Sequence, residues 1–258
     1  MELSLYSDLI LKYNSNSQSA RVFTELWVTN NMFCPRCGNI YIKHFENNRP
    51  VADFFCPNCL SQYELKSKNG ILGEKIVDGS YEKMIKRITS NENPDFFFMS
   101  YSKASMKVLD FFIVPKHFFV PEIIEKRKPL SNKAKRAGWT GCNILFDKIP
   151  QQGKIPIILK GIETDKDLVI KKLDETKIFS TESIPLRGWL MEVLNCINYI
   201  SSDEFSLSDI YKFENVLSQK YPNNQNIRPK IRQQLQFLRD RGYIEFLENG
   251  KYRKLFRR

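Results

Sequence analysis

Residues 33–68 read FCPRCGNIYIKHFENNRPVADFFCPNCLSQYELKSK, and two patterns are threaded through them. The first is a pair of Cys-x-x-Cys knuckles, Cys34/Cys37 and Cys56/Cys59, with eighteen residues between them. That spacing suits a four-cysteine zinc site. Four thiolates leave a zinc ion no open position for water, so the ion is expected to be structural and to contribute its binding energy to folding. With those four ligands in place, His44 between the knuckles is expected to be an ordinary loop histidine. The second pattern is Asp53, just before the second knuckle, with Glu64-Leu65-Lys66 just after it.

An aspartate followed at this separation by Glu-x-Lys is the arrangement used by metal-dependent nucleases. Residues 62–66 alternate as a strand, so Glu64 and Lys66 share a face while Leu65 points to the core. Asp53, on the neighbouring strand, can lie opposite them. Asp53 and Glu64, with the Leu65 backbone carbonyl, form an oxygen-ligand set suited to Mg2+. Such an ion stabilises charge on a phosphate and lowers the pKa of an attacking water. Lys66 would orient or help deprotonate that water and offset charge in the transition state. The plain alternative is an exposed strand that happens to carry Glu and Lys. The zinc site and the active site are therefore expected to share one hairpin.

Forty Lys and Arg against 29 Asp and Glu give a net charge of +11, which favours a polyanion as partner. Ten of the basic residues fall between Arg228 and Arg258, against the three acids Asp240, Glu245 and Glu248. A length of 258 residues allows one large domain or two modest ones, and 42% hydrophobic content is a globular value. No apolar run is long enough to span a membrane, and MELSLYSDLI lacks the basic start of a signal peptide. Six cysteines, four of them in knuckles, fit metal binding in a reducing, bacterial-type cytoplasm.

Helices are expected over 3–13 and 17–29, the second capped by Ser17 and carrying the stripe Val22, Phe23, Leu26 and Trp27. Arg21 and Glu25 on that helix read as a surface ion pair; alternatively Glu25 lies beside the metal site. A third helix at 81–89 turns Tyr81, Met84, Ile85 and Ile88 inward and Lys83, Lys86 and Arg87 outward. The apolar runs 96–101 and 109–114 read as central strands buried on both faces. The class is α/β (α+β) with a mixed sheet. Residues 126–143, KRKPLSNKAKRAGWTGCN, form a basic loop in which Lys135 and Arg136 meet phosphate. There Trp139, between Gly138 and Gly141, either stacks on bases or belongs to the core. Cys142 and Cys196 are packing residues. Residues 150–183 are weakly patterned apart from the apolar run 155–159. A boundary near 178–184 divides the chain into domains 1–182 and 183–258.

The second domain is easier to read. Leu186, Trp189, Leu190, Val193, Leu194 and Ile197 make a helical stripe, and a second helix follows at 208–220. A third at 228–241 puts Ile231, Leu235 and Leu238 on the core face. Arg228, Lys230, Arg232, Gln233 and Gln236 are its DNA-facing residues. YIEFLENGKYRKLF then forms a hairpin turning at Asn249-Gly250. Three helices and a basic hairpin make a winged helix, whose third helix would enter the major groove. A winged helix used for protein contacts is the alternative.

HFENNRPVADF, the CPxC knuckles, ELKSK, NPDFFF, KRAGWTGCNI, IRQQLQFLRD and GKYRKL together resemble the Dam-replacing (DpnI-like) family of methylation-directed restriction endonucleases. The resemblance runs from the first helix to the C-terminus. It implies a PD-(D/E)xK nuclease core with an embedded zinc ribbon and a C-terminal winged helix. It further implies type II cleavage of duplex DNA at GATC sites whose adenines carry N6-methyl groups. By position, Asp53, Glu64 and Lys66 match the family's catalytic motif, and the four knuckle cysteines match its zinc ligands. Ala52 stands where the general nuclease pattern has proline, a position that binds no metal. Methyl specificity is implied by the resemblance alone. The competing classes are a non-enzymatic zinc-ribbon/winged-helix regulator and a nuclease of different DNA specificity. No protein partner is expected.

Overall fold

The computed structural model describes residues 1–6, 15–46, 52–90, 92–181 and 183–255. Its contacts divide the chain into two units, Met1–Lys148 with Gln152–Thr176, and Ile149–Gln151 with Lys177–Arg258.

The first unit opens on an extended segment, not a helix. Ser4 bridges Lys107, and the Val108 amide donates to the Leu3 carbonyl at 2.9 Å. The remainder of the helix expected at 3–13 lies outside the described residues. Helix α1 spans Asn16–Asn31, beginning where the Ser19 amide donates to the Ser15 carbonyl. Ser15, in extended conformation, is therefore the cap, and Ser17 already lies inside the helix. Phe23, Thr24, Trp27 and Val28 form the buried face, and Val22 and Leu26 flank it half-buried.

Strands β1 (Lys43–His44), β2 (Phe54–Phe55), β3 (Gln62–Asn69) and β4 (Lys75–Ser80) lead into helix α2 (Tyr81–Ile88). Then come β5 (Asp95–Ser102), β6 (Lys107–Val114), β7 (Ile124–Lys126), β8 (Gly141–Leu145), β9 (Ile155–Leu159), β10 (Ile162–Glu163) and α3 (Lys166–Glu175). The main sheet has seven strands in the order β1-β2-β3-β5-β6-β9-β10. It is mixed, because β3 and β5 run parallel while the other neighbours run antiparallel.

Strand β5 is buried from Asp95 to Tyr101, as its continuous apolar run requires. Alternation sends Phe97 and Tyr101 towards α1, where Phe23 meets Tyr101 edge-on at 5.1 Å and Tyr63 stacks on Phe97 at 4.9 Å. Phe96 and Phe98 face the other way, Phe96 stacking on Phe119 at 3.8 Å and Phe98 meeting Phe146 at 5.0 Å. Strand β6 is less enclosed than expected, since Leu109, Asp110 and Phe112 stay half-buried. Helix α3 lies in the stretch that reads as weakly patterned. Asp165 caps it by accepting the Leu168 amide, and Val169 and Leu173 alone are fully buried, a stripe too thin to read.

A second sheet, in the order β4-β8-β7, has three strands. Between the first knuckle and the main sheet, the Arg36 guanidinium holds Asp95 by two hydrogen bonds of 2.7 Å. The Lys116 amide donates to the same carboxylate at 2.8 Å. The pair fastens the knuckle to the first residue of the central strand.

In the second unit, α4 (Ile184–Tyr199) is followed by β11 (Glu204–Ser206), α5 (Leu207–Tyr211), α6 (Glu214–Lys220), α7 (Ile227–Asp240), β12 (Ile244–Phe246) and β13 (Lys251–Lys254). The single helix expected at 208–220 is two. A Ser206/Asp209 capping box starts α5, and the Phe213 amide turns back to the Ile210 carbonyl before α6 begins. Asn249 and Gly250 both have positive φ, 53° and 73°, as the tight β12–β13 turn requires. Strand β11, not foreseen, adds to β13 to give a sheet of three strands. The architecture is thus α/β with a mixed sheet and a C-terminal helix-turn-helix unit with a hairpin.

Asp95→Asn removes one charge of a buried pair and strands the other, which costs about 3 kcal/mol or more. Denaturant unfolding should register that loss as a lower midpoint at unchanged slope. A loss below about 1 kcal/mol, the value of an exposed pair, would contradict the fastening role.

Candidate active site and metal centre

The two knuckles are built alike. The Cys34 amide donates to the Asn39 carbonyl and the Gly38 amide to the Cys34 carbonyl; Cys56, Ser61 and Leu60 repeat the pattern. The fourth position after each first cysteine's own must be left-handed, and Gly38 has φ 74° there while Leu60 has φ 60°. Glycine meets this freely, whereas leucine is strained. All four Sγ atoms lie within 4.8 Å of one another, with Cys34–Cys59 at 3.5 Å and Cys37–Cys56 at 3.6 Å. A tetrahedron with Zn–S bonds of about 2.3 Å has edges of ~3.8 Å, so the cluster fits a zinc ion. The Asn58 and Cys59 amides point at Cys56 Sγ from 3.4 and 3.5 Å. Tyr63 Oη lies 3.0 Å from Cys34 Sγ. Burial, with the neighbouring thiol, pushes the Tyr63 hydroxyl well above its ordinary range, so it stays a donor to that sulfur. His44 lies outside the cluster.

The second knuckle is the turn of the β2–β3 hairpin, in which Phe54 faces Tyr63 and Phe55 faces Gln62. Asp53 comes just before β2, one step further from the turn than the Phe54–Tyr63 pair. The Asp53 amide donates to the Tyr63 carbonyl at 3.0 Å, and the Leu65 amide donates to Asp53 Oδ2 at 2.7 Å. The Leu65 carbonyl lies on the same edge of β3 as its amide, beyond the end of β2. Burial raises the Asp53 carboxyl above the usual range. The Leu65 amide opposes that rise, Glu25 adds to it, and Lys66 and Arg21 oppose it. Two carboxylates and a carbonyl are hard oxygen donors, the set that suits Mg2+.

Glu64 and Lys66 share a face, and two residues not foreseen close around them. Lys66 Nζ donates to Glu64 Oε1 and to Asp78 Oδ1, both at 2.5 Å. Arg87 Nη1 lies 3.1 Å from Glu64 Oε2. Burial alone would weaken the Lys66 charge, but Glu64 and Asp78 outweigh it and raise the ammonium's pKa. Lys66 thus stands as an ammonium donating to two carboxylates in this arrangement. Arg87, expected to face outward, is turned in by Glu64. Asp78 lies on β4 opposite Cys142, beside a bulge between Asp78 and Ser80 that sets its direction. Asp78 has no local sequence signal, because β4 pairs with a strand more than sixty residues away.

Both readings of Glu25 describe part of its surroundings. It accepts from Arg21 Nε at 2.6 Å and lies 3.1 Å from His44 Nε2, and its charge also reaches Asp53. In the basic loop, Lys135 and Arg136 are exposed, and Arg136 stacks over the Trp139 ring at 4.7 Å. Trp139 is half-buried, neither core nor free, and lies on Gly141, where an added Cβ would come within 2.9 Å of the ring. On α7, Arg228, Arg232, Gln233 and Gln236 are exposed, while Lys230 is half-buried and donates to Gln233 Oε1 at 3.0 Å. Arg228 also pairs with Glu214 at 2.8 Å.

Because the cysteine cluster closes the hairpin carrying Asp53 and Leu65, chelating its metal should expose those two amides. Hydrogen exchange should then show their protection lost while β5–β6 amides keep theirs. Unchanged protection at Leu65 would sever the knuckle from the carboxylate spacing.

Two family models match the chain: "DpnI: Dam-replacing family" over residues 1–182 and "Dam-replacing HTH domain" over residues 185–254. That match supports a DNA-binding, methylation-dependent restriction endonuclease in general. On these matches the chain belongs to the Dam-replacing family.

Proposed function

We propose that the chain is a type II site-specific deoxyribonuclease that hydrolyses duplex DNA at GATC sites carrying N6-methyladenine. In this reading residues 1–182 are a PD-(D/E)xK nuclease domain and residues 183–258 a winged-helix DNA-binding domain. The observation that supports it is the hydrogen bond from the Leu65 amide to Asp53 beside the Glu64–Lys66 pair, in a chain of this family. Asp53, Glu64 and the Leu65 carbonyl are the residues that would hold Mg2+. Bound there, the ion would supply charge neutralisation at the phosphate and a more acidic water.

The chain's own residues do the rest. Asp53 keeps its position through the Leu65 amide, so its carboxylate stays aimed past the end of β2. Lys66, held as an ammonium, donates a hydrogen bond to the attacking water or a phosphate oxygen and offsets the charge that develops there. Cys34, Cys37, Cys56 and Cys59 hold a structural Zn2+ that fixes the hairpin's turn.

DNA is engaged from both domains. Lys135 and Arg136 contact phosphate beside Trp139, whose ring is available to stack or wedge. Arg228, Lys230, Arg232, Gln233 and Gln236 lie along α7, where Arg and Gln side chains suit guanine and adenine edges. Two linked readers gain affinity through effective concentration. Among the described residues no helix is long and apolar enough to cross a membrane. The proposal is completed by a cytoplasmic location, where its DNA substrate lies, and by action without a required protein partner.

One plasmid, prepared with and without adenine methylation and incubated with Mg2+, tests the proposal. The methylated form should be cut to a fixed GATC fragment pattern and the unmethylated form left intact. Cutting of the unmethylated form alone would overturn the specificity. Binding with no cutting of either form would leave a regulator.

A further inference from the structure

The Glu-x-Lys motif places Lys66 beside Glu64 but says nothing of what holds the ammonium once Glu64 is engaged elsewhere. In the structure Lys66 Nζ is shared equally, 2.5 Å from Glu64 Oε1 and 2.5 Å from Asp78 Oδ1. Glu64 meets a second cation through its other oxygen, with Arg87 Nη1 at 3.1 Å. Both Glu64 oxygens thus lie beside cations of the chain itself, although the buried Oε2 accepts no hydrogen bond. A divalent ion that claims Glu64 takes a carboxylate away from Lys66. Among the described residues Asp78 is the other carboxylate at hydrogen-bond distance from Nζ. It stands on a different strand, in a different sheet, outside the motif. The β4–β8 ladder and its bulge fix it from behind, and its side chain is only 12% exposed.

We propose that Asp78 is the positioning residue for Lys66, receiving the ammonium when Glu64 turns to a divalent ion and aiming it at the reacting phosphate. This rests on the nuclease reading above. A lysine stem has four rotatable carbons and a strongly hydrated head, so one anchor does not define its direction. Two carboxylates on opposite sides do. If one is withdrawn and the other stays, Nζ moves off Glu64 without leaving the site. Removing the Asp78 charge has two consequences of the same sign. Lys66 then has Glu64 as its single carboxylate partner and competes with any ion for it, and the site loses one negative charge. Divalent affinity and turnover should both fall. DNA affinity should not, because Asp78 acts through Lys66 and not on the duplex.

The test uses the full chain with zinc bound, as Asp78→Asn, Asp78→Glu and Lys66→Met. Ca2+ affinity is read by calorimetry, and kcat and KM with a methylated GATC duplex in Mg2+. Asp78→Asn should lower kcat roughly 10–100-fold, the usual range for partners that orient a metal-site residue. It should weaken Ca2+ binding and leave KM for DNA near the parent value. Asp78→Glu, which restores the carboxylate on a longer arm, should recover part of both losses. Wild-type kcat and Ca2+ affinity in Asp78→Asn, with Lys66→Met inactive, would overturn the proposal and leave the nuclease reading standing. Losses in Asp78→Asn that come with a collapsed melting transition and no recovery in Asp78→Glu would make the residue merely structural. Full cleavage by Lys66→Met would bring down the nuclease reading itself.

Discussion

The Leu65 amide donates to the Asp53 carboxylate across the open end of a hairpin, and the chemistry proposed here depends on that bond. It fixes the separation of Asp53 from Glu64, which sits on the same strand as the donor. The other end of the hairpin is closed by the Cys56/Cys59 knuckle, part of a four-thiolate cluster. A structural metal contributes folding energy where it binds, and one held by this cluster would place that energy on the turn before Glu64. Tyr63 joins the two ends. Its hydroxyl meets Cys34 Sγ, and its carbonyl accepts the Asp53 amide.

The site is also a charge-balance problem. Glu25, Asp53, Glu64 and Asp78 are gathered with Arg21, Lys66 and Arg87, and most of these side chains have little contact with water. Buried charges of one sign are tolerated only with partners, so each carboxylate has a resident cation or an amide to hold it. Burial raises the Asp53 carboxyl, and the Leu65 amide works against that rise. Arg36 and Asp95 use the same chemistry for a structural end, fastening the knuckle to β5.

Much of this was legible between residues 33 and 68, because the cysteines, Asp53, Glu64 and Lys66 all lie within one hairpin of sequence. Spacing alone then carries geometric meaning. Asp78 and Arg87 were not legible. Asp78 gains its place from β4–β8 pairing and a bulge, neither of which leaves a period in the sequence. Arg87 falls on the outward side of its helix by spacing, and the attraction of Glu64 overrides that. The same contrast holds in the C-terminal unit. The Asn249-Gly250 turn and the α7 core face follow from local rules, whereas β11 exists only through its pairing with β13. Trp139 shows a third case, since its environment is set by Gly141 beneath it and Arg136 above.

The central claim is that the hairpin bearing Asp53 performs the hydrolysis, and that the zinc knuckle and DNA contacts serve it from outside the reaction. Asp53→Ala separates these roles most directly, measured at once for bound zinc, for binding of a methylated GATC duplex and for Mg2+-dependent cleavage. The account predicts zinc and DNA binding close to the parent protein with cleavage abolished. Cleavage at the parent rate by that variant would contradict it.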